Sequence, residues 1–133
     1  MNELPIARGL FVCEKVLVEE GTRYTTLINC FSNRKFDRFP SEPIDFLLFA
    51  ILLNGRGRVR LDAVMEDVDT SNEFDRRSSV FDFFDPKQEF RFRAKYNSFS
   101  FKQPGSYEFK LLADGEMIAN TVVNVTQGGK GHD

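Results

Sequence analysis

The stretch FLLFAILLN, Phe46 to Asn54, decides how this chain is read. It is the most apolar run in the sequence, set between SEPID and GRGRVRLDAV. A strand with one face on a core alternates apolar and polar residues, and this run does not. A helix is the competing reading: Ser41 could cap it, Pro43 could sit in its first turn, and Asn54-Gly55 could end it. Two features favour a strand. The run has no polar face to turn to water, as a surface helix needs. The NGRG that follows suits a hairpin loop into the strongly alternating segment beyond it. With a strand over 44–54, the core face is either Phe46, Leu48, Ala50 and Leu52 or Leu47, Phe49, Ile51 and Leu53. The other set points outward as an apolar patch on the order of several hundred Å², near the upper end of what soluble monomers expose. No amphipathic helix elsewhere is available to cover it. A second chain is therefore expected there, with Leu47, Phe49 and Ile51 as the interface.

Outward from this run, turn signals recur as EEGTR, RFPSEP, NGRG, DTSNE, DPKQ, KQPGS and ADGE. The segments between them are rich in Val, Ile, Leu, Phe, Tyr and Thr. Many short strands at regular spacing indicate an all-β sandwich or barrel. Eight strands are expected, at about 8–19, 24–32, 44–54, 57–67, 74–83, 88–96, 106–113 and 116–126. In QEFRFRAKY, Phe90 and Phe92 alternate with Arg91 and Arg93, so period two separates rings from guanidinium groups. GRGRVRLDAV sets Arg56, Arg58 and Arg60 against Val59, Leu61 and Val64, with a phase slip near Ala63. Asp114-Gly115 supplies the positive φ of a hairpin turn, and Tyr107, Phe109 and Leu111 share one face of the strand before it.

The chain has 133 residues, which favours one domain, expected over 1–126 with a disordered Gly-rich tail at 127–133. Fifteen Phe and no Trp imply a core built largely of phenyl rings. A net charge of −2 carries no signature of nucleic acid or membrane. MNELPIARGLF lacks the pattern of a secretory leader, and the run at 46–53 is far short of a membrane span. A cytoplasmic location is expected.

The sole histidine, His132, lies in the tail, which excludes a Ser-His or Cys-His pair in the folded part. Cys13 and Cys30 are too few for a zinc site. Glu14, Asp62, Glu66, Asp67 and Asp69 are carboxylates whose expected role is solvation of strand ends and turns. EDVDTSNEFDRRS resembles a calcium loop at Asp67, Asp69 and Ser71, with Asp82 and Asp85 as further candidate ligands. It has Asn72 where such a loop needs Gly and Ser78 where it needs Glu. The stripes Arg56/Arg58/Arg60 and Arg91/Arg93/Lys95 are expected on different sheets, as solvated outer faces. A two-residue turn at Gly21-Thr22 places Cys13 opposite Cys30 and Glu14 opposite Asn29; a longer loop is expected not to.

The pattern FKQPGSYEFKLLADGEMIA, Phe101 to Ala119, follows the earlier VCEKVLVEEGTRYTTLINCFSNRKFDRFP. Together they resemble a family of small bacterial proteins known as a domain of unknown function. The resemblance implies an immunoglobulin-like β-sandwich and no particular activity. It makes Tyr107 similar to the corner tyrosine of such sandwiches, whose hydroxyl bonds back to nearby backbone. The disulfide and buried Trp of antibody domains are missing.

These readings converge on an all-β, single-domain immunoglobulin-like β-sandwich of about eight antiparallel strands. Its expected function is that of a non-enzymatic protein-interaction module, self-associating or a small subunit of a bacterial assembly. No cofactor, metal, nucleic acid or membrane is expected. The alternative is a small-ligand or calcium-binding module that uses the acidic loops.

Overall fold

The computed structural model describes residues 3–128. Among them are ten strands and no helix: β1 (Ile6–Cys13), β2 (Lys15–Val18), β3 (Thr25–Ile28), β4 (Asn33–Phe36), β5 (Ile44–Leu53), β6 (Gly57–Asp67), β7 (Glu73–Phe83), β8 (Phe90–Phe99), β9 (Gly105–Ala113) and β10 (Glu116–Gln127). One sheet has the order β1-β5-β8 and the other β4-β10-β9-β6-β7, while β2 and β3 pair as a separate hairpin. The fold is an all-β sandwich, with ten strands where eight were expected. The expected first strand breaks at Glu14 into β1 and β2, and β4 is additional. β4 runs parallel to β10, which lies far along the chain.

FLLFAILLN is a strand, the central one of its sheet. Phe46, Leu48, Ala50 and Leu52 face the core, all at 1% exposure or less. Opposite them lie Val59, Leu61, Ala63 and Met65 of β6 and Tyr107, Phe109 and Leu111 of β9. Phe46 stacks on Tyr96 at a centroid separation of 4.9 Å and meets Phe109 edge-on at 6.1 Å. Offset and edge-to-face contacts of this kind add to what burial alone provides. The alternation on β6 runs unbroken to Met65, and the register shift lies after it rather than at Ala63. Val64 is therefore on the outer face, opposite Lys110 and Arg76, and is still buried.

NGRG does not make a hairpin. β5 and β6 belong to different sheets, and the loop is a corner between layers, with Asn54 and Gly57 both at positive φ. At the β9–β10 turn, Asp114 and Gly115 both have positive φ, as a two-residue hairpin requires. The Tyr107 hydroxyl donates to the Gln103 carbonyl, the bond expected of a corner tyrosine. Ordered structure runs past residue 126: β10 includes Gln127, and the Gly128 N–H donates to the Phe36 carbonyl. The rest of the expected tail, 129–133 with His132, lies outside the described residues.

The outer face of β5 is covered by the chain itself. Leu47 and Phe49 are 8% and 2% exposed, and with Cys13 they pack against Val16 of β2, Leu27 of β3 and Ile51. A straight strand of period two cannot turn both Cys13 and Val16 to one side. The bend at Glu14 resets the phase and lays the β2–β3 hairpin across the sheet. The expectation that a second chain covers Leu47, Phe49 and Ile51 is thereby corrected: an intramolecular hairpin takes that place.

Candidate binding surface

Strand pairing gathers several loops at one end of the sandwich. Ile6 pairs with Leu53, Phe90 with Leu52, and Gly57 with Phe83. The start of β1, the β5–β6 corner and the β7–β8 loop are therefore neighbours. The Asn54 N–H donates to the Pro86 carbonyl at 3.0 Å and ties corner to loop. Glu89 bridges Arg8 and Arg91, each at 3.5 Å. Arg91 in turn donates from Nε to Thr25 Oγ1 at 3.0 Å and from Nη2 to the Arg23 carbonyl at 2.6 Å. These bonds draw the tip of the β2–β3 hairpin to the same end.

Three large side chains stand out from this rim: Ile6, Tyr24 and Phe84, exposed at 58%, 73% and 88%. Local structure places two of them. Phe83 and Phe84 are consecutive, so only one can face inward, and Phe83 packs on Phe90. Tyr24 ends the hairpin loop, where the Glu19 N–H donates to its carbonyl at 2.7 Å. Sequence reasoning passed over all three. The Phe83-Phe84 doublet was the available signal.

The carboxylates do not converge. Glu14 accepts from Asn29 Nδ2 at 2.9 Å and pairs with Arg34 at 3.6 Å. Asp62, 1% exposed on the outer face of the larger sheet, accepts on Oδ2 from Arg76 at 2.8 Å and Arg60 at 3.2 Å. Glu66 pairs with Lys110 at 3.0 Å, which raises the lysine's pKa. Asp67 Oδ1 accepts from the N–H groups of Asp69 and Thr70 at 2.8 and 3.0 Å, closing its own turn. Asp82 lies at the far end of β7 and Asp85 just past it, about 30 Å away at strand rise, so they cannot join Asp67 and Asp69 around one ion. Among the described residues, no three His, Cys, Asp or Glu side chains stand together as metal ligands.

The arginine stripes lie on different sheets, Arg58 and Arg60 on β6, Arg91 and Arg93 on β8. Cys13 and Cys30 are free thiols, the first buried and the second exposed. Burial, and then the charge of Cys30 beside it, push the Cys13 thiol up to about 11. At neutral pH it is a protonated, apolar neighbour of Leu47 and Phe49. No helix among the described residues is long and apolar enough to cross a membrane.

No curated protein matches this chain. Among solved structures it is similar to the alkylpurine DNA glycosylase AlkC of Pseudomonas fluorescens bound to DNA with an abasic-site analogue. That match has 10% identity and TM-score 0.48, over 71% of this chain and 27% of the other. It is similar to the CARDB domain of the PF1109 protein of Pyrococcus furiosus in complex with di-metal ions: 13% identity, TM-score 0.45, 95% and 97% covered. It is also similar to a beta-glucosidase from Listeria innocua: 10% identity, TM-score 0.46, 96% and 16% covered. The chain thus spans only a minor part of the glycosylase and of the glucosidase. The family model for DUF6941, a family of unknown function, matches residues 8–126, and the chain belongs to that family.

Proposed function

We propose that this protein is a non-enzymatic protein-interaction module that binds through the loop end of its sandwich. The observation that carries this reading is the rim of Ile6, Tyr24 and Phe84, three large side chains on the start of β1 and on two loops, tied together by Glu89 to Arg8 and Arg91 and by Arg91 to the Arg23 carbonyl. Aromatic side chains on a rigid rim lose little conformational freedom on docking and account for a large share of binding energy at protein interfaces. The partner is a second copy or a component of a larger bacterial assembly. We place the module in the cytoplasm. Two cysteines in 133 residues support that, since small secreted domains are usually dense in disulfides.

The test places a photo-activated cross-linker at position 24 or 84, with position 78 on the exposed outer face of β7 as control. Sedimentation is run in parallel over a range of concentrations. The reading expects one discrete cross-linked protein, or a concentration-dependent mass, from positions 24 and 84 and none from 78. Equal labelling at all three positions, with a monomer at every concentration, removes it.

A small-ligand reading has one observation in its favour. At the opposite end, a cleft of about 300 Å³ is lined by Phe74, Phe99, Phe101 and Tyr107. Quenching of Tyr107 fluorescence by a saturable small apolar ligand supports that reading; linear, unsaturable quenching counts against it.

A further inference from the structure

The β2–β3 hairpin has two kinds of attachment: apolar contacts along its length, and Arg91 at its tip. Its base holds the only two cysteines. In the hairpin, Lys15 pairs with Ile28 and Val18 with Thr25. The loop Glu20–Arg23 is the longer of the two alternatives, yet it is centred on Gly21-Thr22, so β2 and β3 pair in the register a two-residue turn there would give. The ladder ends at the Lys15–Ile28 pair, with a bend at Glu14 and a positive φ at Asn29, and Cys13 and Cys30 follow just beyond it. Backbone bonds bracket the two cysteines and hold their segments side by side: the Phe31 N–H donates to the Val12 carbonyl and the Glu14 N–H to the Ile28 carbonyl, both at 3.0 Å. Cys30 is near enough to Cys13 to add to the rise in its pKa. Cross-strand Cα separations of about 4.5–5.5 Å fall inside the range a disulfide spans.

We propose that Cys13 and Cys30 form a reversible intramolecular disulfide that clamps the β2–β3 hairpin over the outer face of β5. The reagent is a low-molecular-weight disulfide such as oxidised glutathione. Cys30 is exposed and is attacked from solution; Cys13 is fully buried and reacts only with Cys30. Cys30, as thiolate, attacks one sulfur of the reagent. The reagent's S–S bond breaks, one glutathione thiolate leaves, and Cys30 holds the other half as a mixed disulfide. Cys13 then gives its proton to water and attacks the Cys30 sulfur, displacing the second glutathione thiolate. Two protein thiols are oxidised, and one small disulfide is reduced to two thiols. The high Cys13 pKa makes this second attack the slow step, because the thiolate is the nucleophile. A lone two-stranded hairpin is marginally stable, so closing its base is expected to hold it markedly more firmly against the sheet.

The test is incubation of the folded, full-length protein with oxidised glutathione, read by intact mass and peptide mapping. The expected product is a monomer lighter by two hydrogen atoms, with a Cys13–Cys30 linked peptide that dithiothreitol reverses. Amide exchange over Thr25–Ile28 should slow by about tenfold or more on closure. Cys13→Ser should stop at a glutathione adduct on Cys30. A wild-type protein that itself stops at that adduct, or dimerises through Cys30, overturns the pairing. A closed disulfide that leaves Thr25–Ile28 exchange unchanged overturns the clamp.

Discussion

Phe109 is fully buried, with Phe46 and Tyr96 both edge-on to its ring at 6.1 Å. Replacing it by Ala leaves a ring-sized cavity that the surrounding rings cannot fill. Phe109→Ala should cost about 3–5 kcal/mol in chemical denaturation, and a loss under about 1 kcal/mol would contradict the packing. Tyr96 makes a different point. Its hydroxyl is buried without a hydrogen-bond partner, and burial first, then the charge of Asp75, raises its pKa from 10.0 to about 12. The unfolded chain releases this proton first, near pH 10. The folded protein should therefore keep its full stability below that pH and lose it as pH rises from about 10 to 12, by about 3 kcal/mol from this group. Tyr96→Phe should flatten that alkaline loss and leave neutral stability unchanged or higher. An unaltered alkaline slope in urea titrations of the variant would contradict it. Period two made the facing of Phe90, Phe92, Tyr107, Phe109 and Leu111 legible from sequence. It could not show that Asp62 and Val64, on the outward phase, are buried. Asp62 is paired by Arg76 of neighbouring β7 and by Arg60 two residues back on its own strand, and Val64 lies between Arg76 and Lys110 of the flanking strands.

At the scale of elements, β5, β7 and β9 were legible because each is a long apolar or alternating run bounded by turn residues. β4 was not. NRKF is four residues with one buried side chain, Phe36, and its partner β10 is supplied by tertiary structure. The corner at NGRG was misread as a hairpin for a related reason: the same turn chemistry serves a tight hairpin and a crossing between layers, and only the sheet each strand joins decides. The hairpin over β5 illustrates both points. Its strands were expected, but not the break at Glu14, where one residue of bend exchanges the two faces. Arg91, only 12% exposed at its side chain, pins the tip. Arg91→Ala removes the charged donor to Thr25 and Arg23 and should weaken hairpin attachment by about 1.5–3 kcal/mol. Amide exchange of Thr25–Ile28 should accelerate accordingly while β9 exchange stays fixed. Equal acceleration in both would mean that the hairpin opens only with global unfolding.

For the whole molecule, alternation and turn spacing were enough to read the fold class, and the Phe101–Ala119 and early motifs pointed to the family. The candidate site was the less legible part. Leu47, Phe49 and Ile51 were assigned to an interface on sound grounds, since an apolar outer face needs cover. No local pattern shows whether that cover comes in cis or in trans. In the fold described here the cover is in cis, with Val16 and Leu27 on Leu47 and Phe49. The contact surface we propose is therefore sought at the loop end instead. The most direct test is an isotope-filtered NMR experiment on a mixture of labelled and unlabelled protein, read at the methyls of Val16 and Leu27 and the ring of Phe49. The account predicts strong contacts from these methyls to the Phe49 ring of the same molecule, present at the lowest workable concentration and absent from the intermolecular spectrum. Contacts seen only between labelled and unlabelled molecules would contradict it, because a second chain would then be covering β5.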